Sequence, residues 1–235
     1  MKKILCTLLW CLIVCLSACT QQSPNAATQE STESPMLHSE YAFILDNIVK
    51  AYPWNDDDLT MVPENPELSY MYRRNAALSE IGFALIDLDG NGQEELIISD
   101  PSKFVYDLYT ISNGKAVHLF DSGERYCYIL RENGLIENAW SDSAATSGHD
   151  FYQINDGKLD FIERITSDAY HALDVGLIQE LTEATDDNCY FISPTDQTED
   201  YKWVTSNEAI EKTKAYQETN KELEIEYTLL SDYKS

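Results

Sequence analysis

The sequence predicts an α+β, β-rich fold, an antiparallel meander of hairpins with N-terminal helices and one C-terminal helix. Three observations carry this expectation. Apolar residues recur with a helical period near the start of the chain and switch to strand-like runs from Gly82 onward. Those runs are punctuated by Asn113-Gly114, Asn133-Gly134 and Asp156-Gly157, the dipeptides preferred in tight hairpin turns. Late in the chain, Thr205-x-x-Glu208 forms a capping box, the signature of a helix start.

Taken in order, Ser39 is placed to cap a first helix, and Tyr41, Ile44, Leu45, Ile48 and Val49 form its core-facing stripe. Tyr52-Pro53 ends it, because the residue before proline disfavours helical geometry. Asn65-Pro66-Glu67 is a second helix start, leading through Leu68, Met71 and Tyr72 toward Leu78. Hairpins are then expected at Phe104 to Phe120, Arg125 to Ala139 and Asp150 to Arg164. The first and third share the text Tyr109-Thr-Ile-Ser-Asn-Gly-Lys and Tyr152-Gln-Ile-Asn-Asp-Gly-Lys, 43 residues apart. That offset is near a propeller-blade period of about 40–45 residues, so an incomplete propeller-like repeat is the alternative architecture. Ser141 to His149 reads as a small-residue loop, and Asp168 to Asp187 is undecided between helix and loop. The capped helix runs to about Thr219, and the alternation of Leu223, Ile225, Tyr227 and Leu229 with polar residues marks a half-exposed last strand.

The first residues have a separate logic. Lys2 and Lys3 precede an apolar run, Ile4 to Leu16, that is too short to span a bilayer as a mature helix. The run ends in Leu16-Ser17-Ala18-Cys19, which resembles the lipobox of bacterial lipoproteins. Residues 1–18 are thus expected to be a signal peptide. Cys19 is expected to be the acylated first residue of a mature chain, anchored in the cell membrane and facing outward. Two acyl chains suffice for stable anchoring. Residues 19–37, rich in Ser, Thr, Gln, Asn and Pro, lack the apolar content to fold and read as a disordered tether. One β-rich domain is expected over 38–235.

Acidic residues outnumber basic ones 41 to 16, for a net charge of -25. Such a surface repels phosphate backbones, which argues against nucleic acid as a partner, and attracts divalent cations. Asn55-Asp56-Asp57-Asp58 is a solvated loop or a second, weaker cation patch. Arg73 and Arg74 read as surface partners for nearby acids. Outside the export region only Cys127 and Cys189 remain; in an oxidising compartment they could pair as a disulfide, or they are two buried thiols.

The chain is most legible at Ile81 to Asp100, where one apolar run leads into D-L-D-G-N-G-Q-E-E and another leads out. Asp87, Asp89 and Asn91 alternate, so three short oxygen-bearing side chains can turn toward one point while Gly90 and Gly92 supply the tight backbone. An EF-hand would need a bidentate Glu at the twelfth position of its loop; here that position is Ile98, and the flanks read as strands. The loop at 87–95 therefore reads as a β-hairpin Ca²⁺ site with ligands from Asp87, Asp89, Asn91, the Gln93 carbonyl and Glu95. The plainer alternative is a good turn between two strands, although a bare turn has no need of acids at both Asp87 and Glu95.

The loop is similar to the D-x-D-G-N-G-x-x-E loops of FG-GAP and VCBS-type repeats. The stretch Leu68 to Asp100, followed by tyrosine-rich hairpins, also resembles a family of small uncharacterised lipoproteins of Gram-positive bacteria. That resemblance implies a fold and an extracytoplasmic location, and no established activity.

No catalytic constellation is evident. Ser143, Ser147, His149 and Asp150 are close in sequence, but triad members usually come from distant segments. His38, His118, His149 and His171 show no zinc spacing. Tyrosines at Tyr106, Tyr109, Tyr126, Tyr128 and Tyr152 read as core fillers before they read as a binding row. The expected function is a non-enzymatic, lipid-anchored structural or binding module for an unknown protein or polysaccharide ligand. The alternatives are a cell-envelope hydrolase or accessory subunit acting on wall polymers, and a calcium sensor.

Overall fold

The computed structural model describes residues 37–53 and 75–234. The export segment, Cys19, nearly all of the tether, the acidic run at Asn55, the helix start at Asn65-Pro66 and the Arg73-Arg74 pair lie outside the described residues. Leu78, the far end of that second expected helix, sits in a turn.

Helix α1 (Ser39–Ala51) buries Tyr41, Ile44, Leu45 and Ile48. Its cap is His38 in place of Ser39: the ring Nδ1 accepts the Glu40 N–H at 3.2 Å, making Ser39 the first helical residue. The strand-like runs then form β1 (Gly82–Ile86), β2 (Glu95–Ser99), β3 (Val105–Ser112) and β4 (Lys115–Asp121). A second meander follows as β5 (Tyr126–Leu130), β6 (Leu135–Ser143), β7 (Thr146–Asn155), β8 (Lys158–Asp168), β9 (Tyr190–Ser193) and β10 (Lys202–Val204). A short β11 (Thr228–Leu229) returns to pair with β1.

The result is two antiparallel sheets, ordered β11-β1-β2-β3-β4 and β10-β9-β8-β7-β6-β5. They pack as middle layers. On the outer side of the first sheet α1 meets Leu96, Ile98, Tyr106 and Tyr109, while on its inner side Ile97 and Leu108 meet Leu130, Ile136 and Ile154 of the second. β2 is buried on both faces, which is why its sequence shows an unbroken Leu96-Ile97-Ile98 instead of alternation. Helix α3 (Ser206–Thr219) covers part of the outer side of the second sheet, with Ala209 against Leu135, Phe151 and Ile165. Its expected capping box is present: Thr205 Oγ1 accepts the Glu208 N–H and the Glu208 carboxylate accepts the Thr205 N–H. The β-rich α+β meander with helices near both ends of the described chain is thus the observed fold.

Several expectations need correction. The repeated hairpin text falls on the β3–β4 and β7–β8 turns, which belong to two facing sheets and not to successive blades of a propeller. A Cβ on Gly157 would lie 3.2 Å from the Ser112 side chain, so the two related turns touch. Ser141 to His149 is not a loop. β6 continues to Ser143 and β7 begins at Thr146, since small side chains suit a long hairpin closed by a two-residue turn. The undecided stretch after Asp168 opens as a short helix, α2 (Ala169–Asp174), capped by the Asp168 carboxylate, which accepts the His171 N–H. Most of the expected last strand makes no ladder. Leu223, Ile225 and Tyr227 pack on the inter-sheet core, and only Thr228 and Leu229 pair. Cys127 and Cys189 are both free thiols. Cys127 lies on β5 and Cys189 immediately precedes β9, four strand spacings across the sheet, or about 19 Å at about 4.8 Å per spacing, far beyond disulfide reach. Of the tyrosines, Tyr106 and Tyr109 are core residues, whereas Tyr126 is exposed.

Candidate cation site on the first hairpin

The β1–β2 hairpin opens into the loop between Ile86 and Glu95. Its two glycines take positive φ (+75° at Gly90, +87° at Gly92), which lets the backbone fold back over Asp87. Asp87 collects the amides that this folding exposes: Oδ1 accepts from Gly90 at 2.8 Å and Asn91 at 3.1 Å, and Oδ2 accepts from Gly92 at 2.9 Å. Asp89 Oδ1 accepts the Asn91 N–H at 3.1 Å. Leu88 points the other way, into the core between the sheets, and pins the loop to it. Behind it, a Cβ on Gly134 of the β5–β6 turn would come within 2.5 Å of the Leu88 carbonyl, so the loop rests directly on the second sheet.

Three of the five expected ligands converge. Asp87, Asp89 and Glu95 each present a carboxylate oxygen within 4.8 Å of the other two. Asn91 does not join them as drawn from sequence, because its amide serves the loop itself: Oδ1 accepts the Gln93 N–H at 2.7 Å and Nδ2 donates to Asp89 at 2.9 Å. The Gln93 side chain reaches away to donate to the Ile111 carbonyl at 2.6 Å.

Glu95 is the unusual member, fully buried at 0 % exposure. Its Oε2 accepts the Leu88 N–H at 2.8 Å and its Oε1 accepts the Thr110 hydroxyl at 3.0 Å. None of the ion pairs among the described residues includes Asp87, Asp89 or Glu95. Burial pushes the Glu95 carboxyl above its ordinary value. The Leu88 amide and Thr110 hydroxyl oppose the shift, and the charges of Asp89 and Asp87 add to it. Three acids this close, one of them in the interior, cost stability unless a proton or a cation intervenes. The donor set consists of hard oxygens, which suits a divalent hard cation.

A second charged constellation was not anticipated from sequence. Glu137 on β6 is also fully buried, and it receives the Arg131 guanidinium, His149 Nδ1 at 2.6 Å and Gln217 Nε2 at 2.9 Å. Burial alone would raise its carboxyl, but hydrogen bonds from His149 and Gln217, together with the Arg131 charge, hold it below its ordinary value. Asp150 on β7 takes both arms of the Arg164 fork, each at 2.7 Å, on the opposite face of the same sheet. His149 and Asp150 therefore serve different buried acid–base pairs, and the Ser143, Ser147, His149 and Asp150 quartet does not converge.

No protein-family model matches the sequence, and no curated protein or solved structure matches it either.

Proposed function

We propose that the chain is a lipid-anchored extracytoplasmic module, non-enzymatic in itself, whose β1–β2 loop binds Ca²⁺ and thereby fixes the packing of the two sheets. One observation carries the cation: a fully buried carboxylate, Glu95, sits beside Asp87 and Asp89 with no cationic side chain among the described residues to balance it. In this reading Asp87, Asp89 and Glu95 hold the ion, and Asn91 and the Gln93 carbonyl join as the loop tightens around it. Calcium takes 6–8 oxygen ligands and tolerates irregular geometry, which suits a short loop completed by backbone and water. An ion there offsets the cost of the buried acid and draws the loop onto Leu88, hence onto the second sheet.

The anchor is supported by the Leu16-Ser17-Ala18-Cys19 motif behind a basic and apolar leader. Membrane attachment through Cys19, a facing outside the cell and a protein or polysaccharide ligand follow as parts of the same proposal. Isothermal titration of the full chain with calcium in detergent tests the cation directly. A single saturable site in the micromolar to millimolar range supports it, and no heat beyond dilution refutes it.

A further inference from the structure

Beside α3, the outer face of the six-stranded sheet opens as a groove of about 630 Å³, a volume usual for small-molecule sites, about 300–1,000 Å³. The strand register arranges its floor in rows. Ser141 stands opposite Ser147, Ser147 opposite Ser167, and Ser167 opposite Tyr190, so four adjacent strands present a line of hydroxyl-bearing residues into the groove. Strands lie about 4.8 Å apart, which sets the spacing of that line.

The neighbouring row is different in kind. His149 is flanked by Ala139 on one side and Ile165 on the other, both of which also line the groove. Ala139 separates His149 from Cys127, and its small side chain leaves the floor low between them. The His149 ring is held by Glu137 through Nδ1, and among the described residues Nε2 makes no hydrogen bond.

The bonding state of these groups points to the ligand. The cationic side chains at the rim are already committed: Arg125 donates to the Ser141 and Asp142 carbonyls at 3.0 Å, and Lys214 pairs with Glu211 at 3.2 Å, while the one carboxylate there, Glu124, would repel an anion. Among the described residues, the hydroxyls of Ser147, Ser167 and Tyr190 make no hydrogen bond, while that of Ser141 donates to the Ser143 carbonyl at 3.3 Å and keeps its lone pairs free to accept. Neutral donors and acceptors in a row beside an apolar strip suit a molecule with many hydroxyls on one side and C–H faces on another. An anion would find no uncommitted cation here.

We infer that this groove is a binding site for a neutral saccharide, with the Ser141–Ser147–Ser167–Tyr190 row meeting ring hydroxyls, His149 Nε2 adding an oriented nitrogen, and Ala139 and Ile165 forming the apolar floor. The inference rests on the binding-module part of the proposed function and is independent of the cation.

Saturation-transfer NMR on the full chain tests it, with glucose, N-acetylglucosamine and cellobiose as neutral probes at millimolar concentration. The expected result is transfer from at least one of them. Ser167→Ala, which removes the hydroxyl and adds no bulk, should weaken that probe about tenfold. Ala139→Leu, which fills the floor, should abolish it, while the exposed Glu226→Gln leaves it unchanged; each variant is first matched to the parent by its melting midpoint. No transfer from any probe overturns the inference, as does transfer that Ser167→Ala leaves intact. Sugar loss with a normal calcium response rejects the groove alone, and the converse rejects the cation alone.

Discussion

The carboxylate of Glu95 accepts the amide of Leu88 at 2.8 Å across the mouth of the first hairpin. This bond joins the most buried acid of the loop to the residue that anchors the loop in the inter-sheet core. Glu95→Gln keeps the size and an acceptor while removing the charge. The expected outcome in chelator is a protein no less stable than the parent, because a costly buried charge has gone. In calcium at 100 times its dissociation constant the parent gains about 2.7 kcal/mol that the variant lacks. Urea denaturation under both conditions reads the crossing directly.

The loop also depends on what it rests on. Gly134 has φ +69°, and a Cβ there would lie 2.5 Å from the Leu88 carbonyl and 2.6 Å from Gln153 Nε2. Gly114 has φ +77° with nothing within 4 Å, so Gly114→Ala isolates the cost of the backbone conformation, about 1–2 kcal/mol. Gly134→Ala should lose more than Gly114→Ala in chemical denaturation, by about 1 kcal/mol or more. Equal losses would show that the loop can move off the second sheet freely.

The hairpins were legible because Asn113-Gly114 and Asp156-Gly157 state their turns in the text, and the loop was legible because its acids and glycines alternate. The charge network was not. Counting outward from the β7–β8 turn, Asn155 faces Lys158 and Tyr152 faces Phe161, which would set Asp150 opposite Glu163. A bulge between Phe151 and Tyr152 adds one residue to β8 and brings Arg164 there instead. A bulge carries no strong residue signature in this segment, so the acid–base pair could not be read from spacing. Arg131 and Glu137 meet across a helical turn at Glu132–Gly134, and Gln217 reaches them from 80 residues away. Contacts of that kind depend on tertiary packing alone.

The Glu137 cluster predicts an acid limit to stability. Its folded carboxyl lies below the ordinary value of 4.5. A depressed carboxyl contributes stability that is fully present above that ordinary value and is lost as pH falls through the lower, folded one. Urea midpoints measured downward from pH 5 should therefore fall, and Glu137→Gln should flatten that part of the curve. At neutral pH, Arg131→Leu should cost about 3–5 kcal/mol by leaving Glu137 buried without its guanidinium.

For the anchor, cells expressing the full chain and fed radiolabelled palmitate should label it, and Cys19→Ser should abolish the label and release the chain from the membrane fraction. Label retained by Cys19→Ser would place the lipid elsewhere and remove the basis for the location proposed.

The most direct test of the account is thermal unfolding of the full chain in calcium and in chelator, with Asp87→Ala and Glu95→Gln alongside. At 100 times the dissociation constant, about 2.7 kcal/mol of ligand stabilisation corresponds to a rise of roughly 5–11 °C, at about 2–4 °C per kcal/mol for a domain of this size. The account predicts that rise in the parent chain and its absence in both variants. A midpoint that does not move at millimolar calcium, or one that moves equally in all three proteins, would contradict it and leave Asp87 to Glu95 as a turn that holds itself closed.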